Sequence, residues 1–173
     1  MQNKRLIVDP ATFAPLLQLI ARAESQGNYN AYFGNVGNTA VDFRAMSIGE
    51  VMRWQKEYVQ QGSPSSAVGR YQIIDTTLVG LVQELGVDRG QLFDETLQDK
   101  MAMALLERRG AEQYVNGELT RDEFAANLAK EWAGLPRVLG DNPAYSYYAG
   151  DGLNKALVGV DEVRKAIEPI TAR

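Results

Sequence analysis

PATFAPLLQLIARAESQG, residues 10–27, predicts the helix around which the rest of the chain is arranged. Asp9 before Pro10 is typical of an N-cap followed by proline in the first turn, and Gly27 is typical of a left-handed helix end. Pro15 indicates either a later helix start or a kink. Apolar residues recur at helical spacing along one face, namely Phe13, Leu16, Leu17, Ile20 and Ala21. The stretch therefore predicts an amphipathic helix that packs on a core.

Glu24 is an unusual residue on this predicted helix, because it lies four residues after Ile20 and seven after Leu17, on the apolar stripe. Partial burial and the negative end of the helix dipole both disfavour the charged carboxylate, so we expect a raised pKa. A carboxylic acid that keeps its proton near neutral pH is suited to general-acid cleavage of a glycosidic bond. The alternative is that Glu24 turns to solvent where the helix frays, or pairs with an arginine.

The chain contains no cysteine and no histidine, and this composition excludes several classes of enzyme. Ser-His triads, Cys-His proteases, His-ligated zinc hydrolases and disulfide frameworks are all ruled out. Any catalysis must therefore use carboxylates, Tyr, Lys, Ser or Thr, and we expect no cofactor and no metal site.

The length of the chain predicts a single domain over residues 1–173. The net charge of −4 argues against a nucleic-acid partner. No apolar run approaches the roughly 20 residues of a membrane span, so we expect no membrane insertion. The start, MQNKRLIVDP, is basic but has no apolar h-region, so we expect no signal peptide.

The pattern of caps and stripes predicts a mainly α fold with a small antiparallel hairpin in the N-terminal third. Residues 28–43, NYNAYFGNVGNTAVDF, have the composition of a hairpin. Capping boxes at Ser47–Glu50 and Thr120–Glu123 each predict a helix start. Asp75 and Asp94 are each expected to cap a further helix, and a final helix is expected to start near Asp161.

Four stretches form an ordered set: AESQGNYNAY (23–32), AVGRYQII (67–74), EWAGLP (131–136) and NPAYSYYAGDG (142–152). Together they resemble the lambda-type phage endolysins and, more loosely, the lysozyme-like superfamily. The Glu-Ser-x-Gly-Asn and Tyr-Tyr-Ala-Gly pieces also resemble motifs of Slt-type lytic transglycosylases. The resemblance extends from about Leu16 to about Gly152.

The resemblance implies a two-lobed, mainly α (α+β) lysozyme-like fold that cleaves the MurNAc-β-1,4-GlcNAc bond of peptidoglycan. Glu24 matches the catalytic acid of the family, and Ser25 follows it in the same motif. Tyr71 and Gln72 match the cleft-floor segment, and the stretch that contains Tyr145 and Tyr147 matches the opposite wall. The implied partner is a peptidoglycan glycan strand, and we expect a monomer. The acidic balance departs from the many basic members of the family.

The outcome of the reaction depends on whether a second carboxylate exists. Lambda-type enzymes are lytic transglycosylases in which one carboxyl serves both steps and the product is 1,6-anhydro-MurNAc, and this route is our expectation. A hydrolytic muramidase would need a second carboxylate and a water. Asp42 is the candidate with the best position in the chain, and Glu131 is the other.

Two further alternatives stay open from the sequence. A wall-binding or structural protein that has kept a lysozyme-like cleft would show the same motifs without catalysis. Trp54 and Trp132, at helical spacing, are more typical of core residues than of sugar platforms.

Without a signal peptide, we expect synthesis in the host cytoplasm and assisted release to the cell wall in the periplasm, through a holin or a tail particle.

Overall fold

The computed structural model describes residues 9–171, and these residues contain seven α-helices. The helices are α1 (Ala14–Ser25), α2 (Ile48–Gln60), α3 (Asp75–Leu85), α4 (Glu95–Arg108), α5 (Ala111–Val115), α6 (Arg121–Glu131) and α7 (Val160–Ile167). Short 3₁₀ turns occur at Pro10–Phe13 and Phe43–Ala45. The mainly α fold predicted from the sequence is confirmed, and it is consistent with the lysozyme-like class.

The start of α1 resolves the two interpretations of Pro15 in favour of a later helix start. Asp9 caps the 3₁₀ turn by accepting a hydrogen bond from the Ala11 amide at 3.0 Å, and α1 begins only at Ala14. Pro15 therefore lies in the first turn of α1, where no intrahelical partner for its nitrogen is needed. Gly27 adopts a φ of 82°, as expected of a left-handed helix end.

Local capping signals predicted most of the other helix starts. Both capping boxes form, with Ser47 and Thr120 as the N-caps of α2 and α6. Asp94 caps α4 by accepting the Leu97 amide at 2.9 Å. The prediction for Asp75 was wrong, because Ile74 is the N-cap of α3 and Asp75 is its first helical residue. The Asp75 carboxylate instead accepts the amide of the next residue at 2.8 Å.

The described residues form two compact units. One unit contains the described part of Met1–Ala23 and of Leu105–Arg173. Its helices α6 and α7 pack on one another, and the Arg164 guanidinium reaches the Asp122 carboxylate at 2.9 Å. Large apolar side chains form the core of this unit, including Phe13, Leu16, Ile20, Phe124, Leu128, Trp132 and Ile167.

The other unit is Glu24–Ala104, in which α2 packs on α3. Its core includes Phe43, Ile48, Val51, Val68, Tyr71, Leu78, Leu81, Phe93 and Met101. Trp54 is half-buried and stacks on Tyr58, with ring centroids 4.7 Å apart, while Trp132 of the first unit is 3% exposed. Trp132 therefore has the packing role expected of a core residue, whereas Trp54 packs on neighbouring rings and keeps exposed surface.

Residues 28–43 fold into successive turns, and the predicted hairpin is not confirmed. Tyr32 forms single antiparallel bridges with Asn35 and with Val68, without a continuous ladder. The polar side chains of this segment satisfy the backbone locally instead, as when Asn38 donates to the carbonyls of Asn30 and Val41.

The prediction about a signal peptide concerns mainly residues 1–8, which lie outside the described residues. Between residues 9 and 171, no helix combines the length and the apolar character that a membrane span requires. The prediction of one lysozyme-like domain over residues 1–173 stays a prediction.

Candidate functional site

Glu24 lies at the end of α1, one residue before the helix stops at Ser25. Its side chain is half-buried, whereas Ser25 is fully buried. The Ser25 hydroxyl donates a hydrogen bond of 2.6 Å to the carbonyl oxygen of Arg70. The backbone next to Glu24 is thereby attached to a segment 45 residues further along the chain. We therefore expect Ser25 to act through this attachment and not through contact with a sugar.

The segment that accepts the hydrogen bond from Ser25 is a four-residue turn, Gly69–Gln72, which we call the GRYQ turn. Reciprocal backbone hydrogen bonds of 3.1 and 2.9 Å between Val68 and Ile73 close its base. Gly69 has a φ of 82° and Gln72 a φ of 49°, both in the left-handed region. The Gln72 side-chain amide donates to the Gly69 carbonyl at 2.9 Å, which stabilises this conformation. The turn is therefore a closed unit with a defined backbone.

Asp99 on α4 joins the GRYQ turn to the residues that follow Glu24. Its carboxylate accepts hydrogen bonds from Tyr71 at 2.7 Å and from Tyr29 at 2.9 and 3.0 Å. The Arg70 guanidinium lies 3.8 Å from the same carboxylate and donates to the Tyr29 hydroxyl at 2.8 Å. Its central carbon is 4.9 Å from the ring centroid of Tyr29 and 5.6 Å from that of Tyr71. Arg70 is thus held between two aromatic rings and one carboxylate.

Gln98, the neighbour of Asp99 on α4, holds the backbone of the same turn. It is fully buried, and its side-chain oxygen accepts the Arg70 amide at 2.9 Å. Its side-chain nitrogen donates to the carbonyls of Tyr29 and Phe93 at 3.2 and 3.1 Å. Because both polar atoms of the Gln98 side chain are hydrogen-bonded, the turn and the Tyr29 segment have little freedom to shift independently.

The electrostatics of this network keep both phenols protonated. Burial and the hydrogen bond to Asp99 raise the pKa of Tyr71 far above its usual value of 10.0. The same two causes raise the pKa of Tyr29. Tyr71 is only 1% exposed, so its direct surface for a ligand is very small. We expect Tyr71 to order the turn, while half-buried Gln72 keeps accessible surface.

Asp42 is exposed and forms an ion pair with Arg44 at 3.4 Å. Desolvation opposes its ionisation, but hydrogen bonding to Asn30 and to Arg44 outweighs this effect and lowers the pKa of Asp42. Arg44 also reaches Glu95 at 2.9 Å. Asp42 is therefore ionised at neutral pH.

Glu131, the other candidate for a second carboxylate, is engaged in a partly buried ion pair. Two nitrogens of Arg109, Nε and Nη2, lie 2.7 and 2.6 Å from its Oε2 atom. The side chain of Glu131 is 13% exposed. Its geometry indicates a structural role in the unit that contains α6.

Tyr145 and Tyr147 belong to a tyrosine-rich loop, residues 140–152, and their side chains are 58% and 48% exposed. They line two different cavities. Tyr145 lines one of about 390 Å³, and Tyr147 lines one of about 550 Å³. Between them, Ser146 is buried and donates to the Ala133 carbonyl at 2.7 Å. Both tyrosines thus offer aromatic surface and a hydroxyl to a ligand, as sugar binding requires.

Asp99 and Gln98 are the residues that sequence reasoning missed. The signal that singled out Glu24 also exists for Asp99, because Ala102 and Leu106, three and seven residues later, are fully buried. The sequence therefore contains a pattern that places the Asp99 carboxylate at the border of an apolar stripe on α4. For metal binding, residues 9–171 offer no group of three or more acidic side chains that could hold an ion.

The chain belongs to the endolysin family. The family model described as Endolysin matches residues 14–149, from the first residue of α1 into the tyrosine-rich loop. The protein is thus a phage enzyme that degrades peptidoglycan and acts on the cell wall. Searches of curated proteins and of solved structures gave no significant match.

Proposed function

We propose that the protein cleaves the MurNAc-β-1,4-GlcNAc bond with Glu24 as general acid and then general base. The observation that carries this proposal is the position of Glu24. It is a half-buried carboxyl in the last turn of α1, and its backbone is attached through Ser25 to the GRYQ turn. Partial burial and the helix C-terminus both favour the protonated acid, which is the form that can protonate the leaving oxygen.

The second step regenerates the acid. After Glu24 has given its proton to the leaving GlcNAc oxygen, its carboxylate accepts the proton of the C6 hydroxyl of MurNAc. That oxygen attacks C1 and closes the 1,6-anhydro ring, so no water enters the product. An intramolecular hydroxyl has a high effective concentration, so a second carboxylate is not needed to position it. The engagement of Glu131 by Arg109 supports this one-carboxyl route.

A hydrolytic muramidase is the second candidate, with Asp42 as the carboxylate that would activate the water. Asp42 is exposed and ionised, as a base that activates water must be. In this mechanism Glu24 protonates the leaving oxygen, and Asp42 takes the proton from a water that attacks C1.

Mass spectrometry of muropeptides released in ¹⁸O-labelled water tests both routes. The transglycosylase route predicts 1,6-anhydro-MurNAc ends without the label, whereas hydrolysis predicts reducing ends that carry it. Glu24→Gln should lower the rate of product release by about 10²–10⁴-fold with an unchanged circular dichroism spectrum.

Two matched variants complete this test. Glu57→Gln removes an exposed carboxylate from α2 and should keep full activity. Asp42→Asn should keep activity if Glu24 works alone. Full activity of Glu24→Gln would refute the role of Glu24, and labelled reducing ends together with an inactive, folded Asp42→Asn would replace the first route by the second.

We also propose that the enzyme acts as a monomer on glycan strands and has no nucleic-acid partner or cofactor. Synthesis in the host cytoplasm and assisted release fit the wall as the site of action. Expression with and without a membrane-permeabilising partner tests the release step, since lysis that occurs without the partner would contradict it.

A further inference from the structure

A cavity of about 550 Å³ opens between α6 and the tyrosine-rich loop. Its lining consists of Ala126 and Lys130 from α6, then Arg137, Leu139, Gly140 and Tyr147. We call it the cationic cavity, because two of these six residues are cations and none is a carboxylate. Asp141 follows Gly140 in the sequence but does not line the cavity.

Lys130 and Arg137 form no ion pair within residues 9–171, whereas most arginines of the same unit do. Two uncompensated cations beside one cavity are notable in a chain with a net charge of −4. Like charges that line one cavity repel one another, so an anion bound in the cavity makes the arrangement more favourable. The electrostatics therefore select an anionic ligand.

The loop that forms the cavity holds the Arg137 guanidinium in place and contacts Lys130 through its backbone and an aromatic ring. Arg137 donates through Nε to the Ser146 carbonyl at 3.2 Å and through Nη2 to the Tyr147 carbonyl at 3.5 Å. A guanidinium has five N–H donors in a planar fork, so three remain for a ligand. Lys130 lies 6.0 Å from the ring centroid of Tyr147, and its carbonyl accepts the Tyr148 hydroxyl at 2.6 Å. The site is thus largely organised before a ligand arrives.

The backbone after Arg137 forms a tight turn that places Arg137 and Leu139 in the lining of the cavity. Val138 has a φ of 65°, a rare value for a β-branched residue, and the Leu139 amide donates to the Arg137 carbonyl at 2.8 Å. This is a tight three-residue turn with strain at its centre. Its outer residues, Arg137 and Leu139, both line the cavity. Strain of this kind persists where the surroundings enforce it, often at ligand sites.

We propose that the cationic cavity binds a free carboxylate of the peptidoglycan stem peptide. The proposal rests on the proposed function, because it assigns this cavity to the same polymer that Glu24 would cleave. The glycan chain offers mainly hydroxyl and amide groups, whereas the stem peptides carry carboxylates. The fork of Arg137 matches a carboxylate, Lys130 adds a second charge, and Tyr147 offers an aromatic face to the peptide.

NMR titration of ¹⁵N-labelled full-length protein with a soluble stem peptide tests this proposal without requiring cleavage. The probe is L-Ala-γ-D-Glu-meso-diaminopimelate-D-Ala, and the comparison probe is the same peptide with its carboxyls amidated. We expect shifts at Ala126, Gly140 and Tyr147 with the acid form and weaker binding of the amidated form. Lys130→Gln should raise the dissociation constant about two- to fivefold, as expected for one exposed charge pair, and Lys130→Arg should restore it.

Lys165→Gln is the matched control, since it removes an exposed lysine of the same unit outside the cavity and should leave binding unchanged. Lys130→Gln is preferred to a change at Arg137, because Arg137 also orders the loop. Equal binding of both peptides, no binding, or equal effects of Lys130→Gln and Lys165→Gln would overturn the proposal. Muropeptide release measured in parallel separates the two claims: cleavage without stem binding removes only this proposal, and stem binding without cleavage removes only the role of Glu24.

Discussion

Individual residues near Glu24 divide into those that would meet the substrate and those that hold other residues in place. Glu24 and Gln72 are half-buried and keep accessible surface. Ser25 and Tyr71 are almost completely buried, and their hydroxyls are used by Arg70 and Asp99. Burial of a hydroxyl is favourable only when it is hydrogen-bonded. Ser25 and Tyr71 therefore hold neighbouring residues in place and leave the substrate to Glu24 and Gln72.

Tyr71 gives a prediction at this scale through its raised pKa. Above pH 10, the unfolded chain loses the Tyr71 proton while the folded chain keeps it, so the unfolded state binds fewer protons and stability falls. Tyr71 should contribute a loss of up to about 1.4 kcal/mol per pH unit above pH 10 and none below pH 9. Urea unfolding of the wild type and of Tyr71→Phe measures this contribution as a difference in slope against pH.

Tyr114→Phe is the control for this measurement. Its ring stacks on Phe124 at 5.3 Å, in the other unit and apart from Asp99. It should follow the wild type above pH 10 more closely than Tyr71→Phe does. Parallel curves for the wild type and Tyr71→Phe would show that the Tyr71 phenol ionises equally in both states.

At the scale of structural elements, the GRYQ turn depends on a glycine at its first position. At Gly69, with a φ of 82°, an added Cβ would lie 2.5 Å from the Gln98 side-chain oxygen and 3.2 Å from the Phe93 ring. That oxygen already accepts the Arg70 amide. A side chain at position 69 would therefore strain the backbone and displace the group that fixes the turn.

Gly69→Ala should lower the free energy of unfolding by about 2–5 kcal/mol, as the sum of left-handed strain and overpacking. Gly86→Ala is a matched control, because Gly86 also has a positive φ of 62° but its added Cβ meets nothing within 4 Å. It should cost about 1–2 kcal/mol from strain alone. Chemical denaturation compares the two, and equal costs would contradict the packing account of the turn.

Over the whole molecule, the net charge of −4 opposes the approach of an anionic wall. The cationic cavity acts at contact distance, whereas the net charge acts over the Debye length. That length falls from about 30 Å at 0.01 M salt to about 8 Å at 0.15 M. Screening by salt of the repulsion between the net charge and the anionic wall should therefore help this enzyme to reach the wall.

We expect association with purified sacculi to increase between about 0.01 and 0.15 M NaCl, because the shorter Debye length weakens the long-range repulsion between the two negative charges. Cosedimentation of the Glu24→Gln variant measures this without degradation of the wall. An uncharged chitin oligomer is the control ligand and should bind equally at both salt concentrations. A monotonic decrease in sacculus binding over the same range would show that local cations outweigh the net charge.

The sequence by itself determined most of the helices, though not α5 (Ala111–Val115), and the identity of the candidate acid. Helix starts at Ser47, Asp94 and Thr120 and the helix end at Gly86 depend on contacts within about four residues, so local patterns encode them. The position of Glu24 on the stripe of α1 is equally local. Motifs in the fixed order of the chain also determined the family, which the match over residues 14–149 confirms.

Only the tertiary structure decided which side chains surround the candidate site. Asp99 contacts Tyr29 across 70 positions and Tyr71 across 28, so its place beside the apolar stripe of α4 can be read from the sequence but its partners cannot. The hairpin predicted from residues 28–43 is not confirmed, for a related reason. Asparagine side chains there satisfy the backbone that a strand ladder would have used. The cationic cavity likewise required the tyrosine-rich loop to fold against α6, because a charge becomes a binding group only through the neighbours that tertiary packing brings to it.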